Sequence, residues 1–148
     1  MRTLGVDYGE KRIGLAISDP LGIFAQPLSV VDGTDAQAAA RMIAEISMER
    51  EVETIVVGLP RNMNDTLGPK AMEALAFKEL VERETGLEVV TWDERLSTAR
   101  AERALRESTM SRKKRQQRVD AVAAQVVLQA YLDAKNRRAK EDGQKGRE

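Results

Sequence analysis

One short run of residues constrains the fold more than any other part of the sequence. Thr54 to Gly58 reads TIVVG, an uninterrupted β-branched run. Such a run is typical of a strand buried on both faces of a parallel sheet. Helical spacing of apolar residues flanks it, over Asp35 to Arg50 and over Pro69 to Thr85, and Leu87 to Trp92 predicts a further strand. Strands that alternate with helices imply parallel pairing through right-handed crossovers.

The first thirty residues have a different character. Thr3 to Val6, Ile13 to Ser18 and Pro27 to Val31 each predict a short strand, and together they predict an antiparallel meander. Two more helices are expected, at Ser97 to Glu107 and at Gln116 to Lys135. The sequence therefore predicts an α/β fold, with a mixed five-stranded sheet of three antiparallel and two parallel strands and with helices on both faces.

The chain length fits one domain, which we place at residues 1–135. Residues 136–148, NRRAKEDGQKGRE, contain no large apolar residue and predict a disordered tail. No segment resembles a signal peptide or a membrane span, so we expect a cytoplasmic protein without a membrane partner.

The composition excludes several kinds of chemistry. The chain has no cysteine and no histidine. Disulfides, thiolate zinc sites, cysteine nucleophiles and Ser-His-Asp triads are therefore impossible, and the absence of cysteine suits a reducing compartment. Carboxylate, lysine, tyrosine and hydroxyl groups remain for catalysis.

Acidic residues lie where functional groups collect in an open parallel sheet, at the carboxyl ends of strands. Asp7 closes the first strand, and Asp93 and Glu94 directly follow Trp92. Asp120 is the only acid in the apolar stretch VDAVAAQVVLQAYL. Each acid also has a structural interpretation, since Asp7 or Asp93 could cap a turn or helix and Asp120 could pair with an arginine of its own helix.

Three carboxylates in one cleft would repel each other unless a cation or a proton joined them. Mg²⁺ or Mn²⁺ suits oxygen ligands in a chain without Cys or His. Such a site indicates two-metal hydrolysis of phosphodiesters, with the ions about 4 Å apart.

Positive charge is concentrated near the C-terminus. Residues 100–148 contain 14 basic and 7 acidic side chains, although the whole chain has a net charge of zero. The densest run, SRKKRQQR, immediately precedes Asp120 and indicates contact with a nucleic-acid backbone. A solvated loop is the alternative. The basic residues concerned are Arg112, Lys113, Lys114, Arg115 and Arg118.

Four segments in this order, LGVDYGEKRIGLAISD, VVGLPRNMNDT, WDERLSTARAE and RVDAVAAQVVLQAYL, resemble the YqgF family. Its members are small bacterial proteins described both as Holliday junction resolvases and as pre-16S rRNA nucleases. The resemblance implies a ribonuclease H-like fold, with Asp7, Glu94 and Asp120 as catalytic and metal-binding acids. Alternation along a strand favours Glu94 over Asp93, which stays a possible ligand. Substrate contacts are expected from Arg61, Asn62, Arg95 and Ser97.

The substrate that the resemblance favours is the 5′ end of pre-16S rRNA, processed during ribosome biogenesis. Resolution of a four-way DNA junction is the main alternative, and it would require a two-fold dimer. The expected partner is thus RNA or branched DNA, and the chain is a monomer or a homodimer. An ATP-dependent enzyme of the actin and sugar-kinase type would need a second domain. A nucleic-acid binder without catalytic activity is a third alternative.

Overall fold

The computed structural model describes residues 1–62, 64, 66–96 and 112–145, and in the last of these ranges it describes side chains from 120 to 143. The elements are β1 (Arg2–Asp7), β2 (Arg12–Ser18), β3 (Ala25–Asp32), α1 (Ala36–Glu49), β4 (Val52–Leu59), α2 (Pro69–Thr85), β5 (Glu88–Asp93), a 3₁₀ turn (Glu94–Leu96) and α3 (Arg112–Lys145). The predicted helix at Ser97 to Glu107 lies outside the described residues.

The five strands form one mixed sheet in the order β3-β2-β1-β4-β5. The pairs β1–β2 and β2–β3 are antiparallel, whereas β1–β4 and β4–β5 are parallel. The predicted α/β class and mixed sheet are confirmed. Because β1, β4 and β5 run in the same direction, their carboxyl ends meet at one edge of the sheet.

Helices α1 and α2 cover one face. Asp35 caps the start of α1, where its side chain accepts a hydrogen bond from the Ala38 N–H. Gly86 ends α2 with a φ of 67°, a left-handed conformation that glycine adopts without strain. The core on this face joins the inner sides of both helices to alternate residues of β1 and β4, and it includes Ile43, Phe77, Leu4, Val6, Ile55 and Val57.

Helix α3 covers the opposite face. Its apolar side packs on Ala16 and Val56 of the sheet and includes Ala123, Ala124, Val127, Leu128 and Leu132. Two glycines of the sheet, Gly5 and Gly14, let α3 approach the strands closely. A Cβ atom on Gly5 would lie 2.8 Å from Leu128 Cβ, and one on Gly14 would lie 1.9 Å from the Asp120 carbonyl oxygen.

The end of the chain differs from the sequence prediction. Helix α3 continues through Lys145, whereas disorder was expected from Asn136 onward. Arginine, alanine, lysine and glutamate dominate this part and are all strong helix formers, so a helix already started at the core continues without apolar contacts. Side chains 136–143 are exposed. Among the described helices, none has an apolar stretch long enough to cross a bilayer.

Candidate active site

Asp7 is a buried carboxylate at the carboxyl end of β1, with a relative exposure of 5%. Alternation determines its direction, since Gly5, two residues earlier, lies against Leu128 of α3. Asp7 therefore faces α3. Its neighbour in the antiparallel register is Gly14, the residue on which the Asp120 carbonyl rests. The fold thus brings the first and last predicted acids to the same pair of strands.

Glu94 opens the 3₁₀ turn that follows β5 and is also buried. Its carboxyl group lies over Gly58, because a Cβ atom there would be 2.7 Å from Glu94 Oε1. Gly58 follows Val57 in β4, and Val57 pairs with Val6 of β1. A residue without a side chain at this position lets the Glu94 carboxylate extend across β4 in the direction of the strand that ends in Asp7.

Asp120 lies in α3 with 7% of its surface exposed. Its Oδ2 accepts a hydrogen bond of 3.1 Å from Nε of Arg12, at the start of β2. The arginine side chain is 41% exposed and the aspartate side chain 10%, so the pair connects the interior to the surface. An arginine of its own helix was one structural alternative for Asp120, but those side chains lie outside the description, and the structure shows Arg12 of β2 as a partner.

Asp7, Glu94 and Asp120 therefore lie on the α3 side of the sheet, near the carboxyl ends of β1 and β5. Among the described residues, no three acidic side chains are close enough to form a ready-made metal site. In this conformation Arg12 provides positive charge at Asp120. The donor set consists of carboxylate oxygens, which are the ligands that Mg²⁺ and Mn²⁺ prefer.

Asp93 has a different environment from Glu94. Its carboxylate accepts hydrogen bonds from the Arg95 guanidinium, the shortest of 2.6 Å, and from the Arg95 backbone N–H at 2.9 Å. The side-chain hydrogen bonds of Arg95 hold the pKa of Asp93 below its ordinary value. Any stability gained from this shift is present above the ordinary pKa and is lost as pH falls through the lowered one. The Asp93 carboxylate is therefore engaged by Arg95 in this structure.

Arg95 also connects β5 to the loop after β4. Its Nη1 donates to the Asn62 carbonyl oxygen at 3.3 Å. The Asn62 side chain donates to Thr66 Oγ1 at 3.0 Å, and Thr66 Oγ1 in turn donates to Asn64 Oδ1 at 2.6 Å. Two residues predicted to contact substrate, Asn62 and Arg95, thus take part in an internal network that holds the loop against the 3₁₀ turn.

The other predicted substrate contacts have less structural detail. Arg61 lies in the same loop, close enough to Asp93 that its charge contributes to lowering the Asp93 pKa. Ser97 lies outside the described residues. The backbone of residues 112–118 forms the first two turns of α3, so the basic run is helical and leads directly to Asp120, while its side chains lie outside the description.

Comparison with known proteins identifies the family. Residues 1–134 match the RuvX family, described as Holliday junction resolvase. The chain belongs to the RuvX family. The resemblance to the YqgF family is confirmed. A relative from Listeria innocua, provisionally named a pre-16S rRNA nuclease, is 48% identical over 92% of this chain and 100% of its own length. A relative from Geobacillus with the same name is 49% identical over 91% of this chain and 99% of its own length.

Solved structures share the fold of this RuvX chain. Thermus thermophilus RuvC in complex with a Holliday junction substrate superposes with a TM-score of 0.56 at 16% identity, covering 91% of this chain and 96% of that one. The fowlpox virus Holliday junction resolvase superposes with a TM-score of 0.53 at 12% identity, covering 90% of this chain and 99% of that one. The expected ribonuclease H-like fold is thereby confirmed.

Reasoning from the sequence missed two residues of this RuvX site. Arg12 was given no role and lay just before the predicted strand Ile13 to Ser18, although a basic residue at the start of the strand after Asp7 was a detectable signal. Gly14 interrupts the apolar pattern of β2, and a glycine inside a strand often marks a close backbone approach. Their roles depend on contacts with α3, which begins about a hundred residues later.

Proposed function

We propose that this chain is a metal-dependent endonuclease that hydrolyses phosphodiester bonds in structured nucleic acid, principally at the 5′ end of pre-16S rRNA. The observation that carries the proposal is the burial of Asp7, Glu94 and Asp120 on one side of the sheet, the first two at strand ends and the third on α3. Buried acids without histidine or cysteine nearby suit phosphodiester hydrolysis better than acyl transfer. Membership in the RuvX family and the names of its relatives support the same reaction.

Asp7, Glu94 and Asp120 would hold Mg²⁺ or Mn²⁺, with Asp93 occupied by Arg95. When bound, the ions would supply an activated water and charge stabilisation at the attacking and leaving oxygens. Since Arg12 already neutralises Asp120, it marks the position where positive charge is needed. If a cation were held at Asp120, the Arg12 guanidinium would be available to a phosphate oxygen of the substrate.

Hydrolysis forms a bond from the water oxygen to phosphorus and breaks the bond from phosphorus to the leaving oxygen. A phosphate monoester and a hydroxyl group result. One of the site carboxylates accepts the proton that the water loses, and the leaving oxygen takes up a proton. The basic residues at the start of α3 and Arg61 would hold the backbone of the substrate beside this site.

The choice of RNA as substrate rests on the names of relatives whose alignments cover nearly the whole chain. A single active site is enough to trim one RNA end, so a monomer in the bacterial cytoplasm can perform this role. Resolution of a Holliday junction is the second candidate, favoured by the description of the family and by the shared fold of RuvC. That reaction requires two sites related by two-fold symmetry.

The deciding experiment incubates the purified protein with a 5′-extended 16S precursor and with a four-way DNA junction, each in Mg²⁺ and in Mn²⁺. We expect cleavage of the precursor that requires the metal. Asp7→Asn, Glu94→Gln and Asp120→Asn should each lower the cleavage rate about 100-fold or more. Glu45→Gln, an exposed acid on α1, is the matched control and should cleave normally.

Binding of the metal is measured separately by thermal unfolding. A cation that binds only the folded protein raises the unfolding temperature. We expect Mg²⁺ or Mn²⁺ to stabilise the parent protein and the control, and Asp7→Asn to lose that effect. Full activity in the three acid variants would contradict the site, whereas binding without cleavage would favour the non-catalytic alternative.

A further inference from the structure

Glu94 lies between two residues whose side chains hold each other. The Arg95 guanidinium donates from Nε to Asp93 Oδ1 at 3.1 Å and to Oδ2 at 3.0 Å, and from Nη2 to Oδ2 at 2.6 Å. The Arg95 backbone N–H donates to Asp93 Oδ1 at 2.9 Å. A carboxylate held by one arginine through several hydrogen bonds has a specified geometry. Because these bonds connect residue 93 to residue 95, they restrict the backbone of the residue between them, which is Glu94.

The same guanidinium extends the connection between two strands beyond the end of their ladder. The last pair in the register of β4 and β5 is Leu59 with Asp93. Past that pair, Arg95 Nη1 donates to the Asn62 carbonyl oxygen at 3.3 Å. The Asn62 backbone N–H donates in turn to the Thr66 carbonyl oxygen at 3.0 Å, so the loop is closed on itself. The 3₁₀ turn after β5 is therefore held from two sides.

Gly58 provides the surface on which the Glu94 side chain rests. A Cβ atom at Gly58 would lie 2.7 Å from Glu94 Oε1 and 3.3 Å from both its Cγ and its Cδ. The side chain thus lies along the glycine, and only 8% of Glu94 is exposed. A free glutamate samples many rotamers. Here the restricted backbone and the glycine surface select one direction, which leads across β4 toward the strand that ends in Asp7.

The contacts of Arg95 suit a supporting role better than the contact with substrate that the sequence predicted. All three of its guanidinium nitrogens donate within the protein. Asp93 neutralises its charge at hydrogen-bond distance, so the pair attracts a phosphate less than a lone arginine does. Residues that orient a metal ligand without touching the metal commonly change metal affinity or activity about 10–100-fold when they are replaced.

We propose that Arg95 is a positioning residue for the metal site. Through Asp93 and the Asn62 carbonyl it holds the 3₁₀ turn, and the turn holds the Glu94 carboxylate in the orientation in which it binds Mg²⁺ or Mn²⁺. Arg95 contacts neither the metal nor the substrate. This inference rests on the proposed nuclease function and adds a requirement to it, namely that metal affinity depends on a residue outside the ligand set.

Binding of Mn²⁺ to the full chain without nucleic acid tests this role directly. Electron paramagnetic resonance gives the affinity, since the signal of the free ion decreases as Mn²⁺ binds. Arg95→Lys keeps the charge but replaces a three-nitrogen fork with a single nitrogen, which cannot hold Asp93 and Asn62 together. We expect this variant to weaken Mn²⁺ affinity about tenfold or more. Arg83→Lys, at an exposed arginine of α2, is the matched control and should bind Mn²⁺ as the parent protein does.

A double-mutant cycle separates positioning from a general loss of structure. Glu94→Gln alone should weaken Mn²⁺ affinity, and adding Arg95→Lys should weaken it no further, because Arg95 acts through the Glu94 carboxylate. Circular dichroism and thermal unfolding in EDTA show whether each variant is folded. Additive losses in folded variants would overturn the proposal.

Asp93→Asn provides a second route to the same pair. It keeps the shape of the side chain and weakens the hydrogen bonds to Arg95, so it should reproduce part of the effect of Arg95→Lys. A loss of Mn²⁺ affinity in Asp93→Asn with none in Arg95→Lys would show that Asp93 binds the metal itself, and would contradict the positioning role of Arg95.

Cleavage of the 16S precursor distinguishes a positioning residue from a substrate contact. In Arg95→Lys, the Mn²⁺ concentration that gives a half-maximal rate should rise about tenfold. KM for the precursor at saturating Mn²⁺ should stay within about twofold of the parent value. A raised KM with unchanged Mn²⁺ affinity would return Arg95 to the substrate contacts and refute the proposal.

Failure of the nuclease itself has a different signature. Mn²⁺ binding that weakens in Arg95→Lys, together with no cleavage by the parent protein, would refute the nuclease and leave the positioning role standing. Cleavage by the parent protein together with unchanged Mn²⁺ binding in Arg95→Lys would refute the positioning role alone. A parent protein that binds no Mn²⁺ would refute both.

Discussion

Arg12 shows how one side chain can determine the charge of a site. It follows the turn after Asp7, and its backbone is closely packed, since a Cβ atom on Gly9 would lie 2.4 Å from the Arg12 carbonyl oxygen. Its guanidinium pairs with Asp120, a residue 108 positions later. A buried carboxylate that loses a paired cation becomes expensive, so the pair stabilises the fold as it stands. A metal ion at Asp120 would compete with this arginine.

Arg12→Gln tests that competition. Without metal, we expect the free energy of unfolding to fall by about 1–2 kcal/mol, because Asp120 loses a charged hydrogen-bond donor. With saturating Mg²⁺, the rise in unfolding temperature should exceed that of the parent protein, since the ion no longer displaces an arginine. Thermal unfolding with and without Mg²⁺ measures both effects. Arg41→Gln, exposed on α1, is the control, and an equal rise in all three proteins would contradict the competition.

At the level of elements, the active site depends on how closely α3 lies on the sheet. Gly5 and Gly14 form a smooth surface on β1 and β2, and α3 places Leu128 and Asp120 against it. The same close packing buries Asp120 beside the strand that ends in Asp7. The position and the burial of Asp120 therefore have one cause, which is the absence of side chains at Gly5 and Gly14.

Gly14→Ala should push α3 away from β2. The added methyl group would meet the Asp120 backbone, which cannot move without moving the helix, so we expect a loss of about 1–3 kcal/mol in unfolding free energy. Urea unfolding measures that loss, and stabilisation by Mg²⁺ should decrease in parallel. Gly143→Ala is the control, because nothing lies within 4 Å of its Cβ position and alanine favours a helix. Equal stability of Gly14→Ala and the parent protein would refute the close packing.

At the level of the whole molecule, positive charge is separated from the apolar core. Helix α3 begins with the basic run, passes over the sheet at Asp120, and ends in an exposed segment that again carries basic residues. A nucleic acid that follows this helix would pass from the basic run across the carboxylates to the exposed basic segment at its end. Counterion release then makes its affinity depend on salt concentration.

Lys113→Ala combined with Lys114→Ala should weaken binding of the 16S precursor. If both lysines contact phosphates, the slope of log affinity against log salt should become shallower by about 1–2. Filter binding between 50 and 200 mM salt, typical conditions for such measurements, gives that slope. Arg41→Ala combined with Arg83→Ala removes two exposed cations from α1 and α2 and should leave the salt slope unchanged. An unchanged slope in the lysine variant would show that the basic run is a solvated helix surface that does not contact phosphates.

The sequence by itself determined the local elements and their order. The run at Thr54 to Gly58 lies inside β4, and the helix predicted to end at Thr85 does end there, because apolar periodicity and glycine are local signals. The family motifs also indicated Asp7, Glu94 and Asp120 as the candidate acids. These properties follow from residues close together in the chain, where spacing alone restricts the conformation.

Only the tertiary structure decided which residues surround those acids. The pairing of Arg12 with Asp120, the position of Glu94 over Gly58 and the packing of Trp92 on Tyr131 each join segments that are distant in sequence. Such contacts depend on how α3 crosses the sheet, and no local pattern encodes that crossing. The helical extension past Asn136 was missed for a related reason. A tail with few apolar residues predicts disorder when considered alone, but it continues a helix whose costly first turns are already formed on the core.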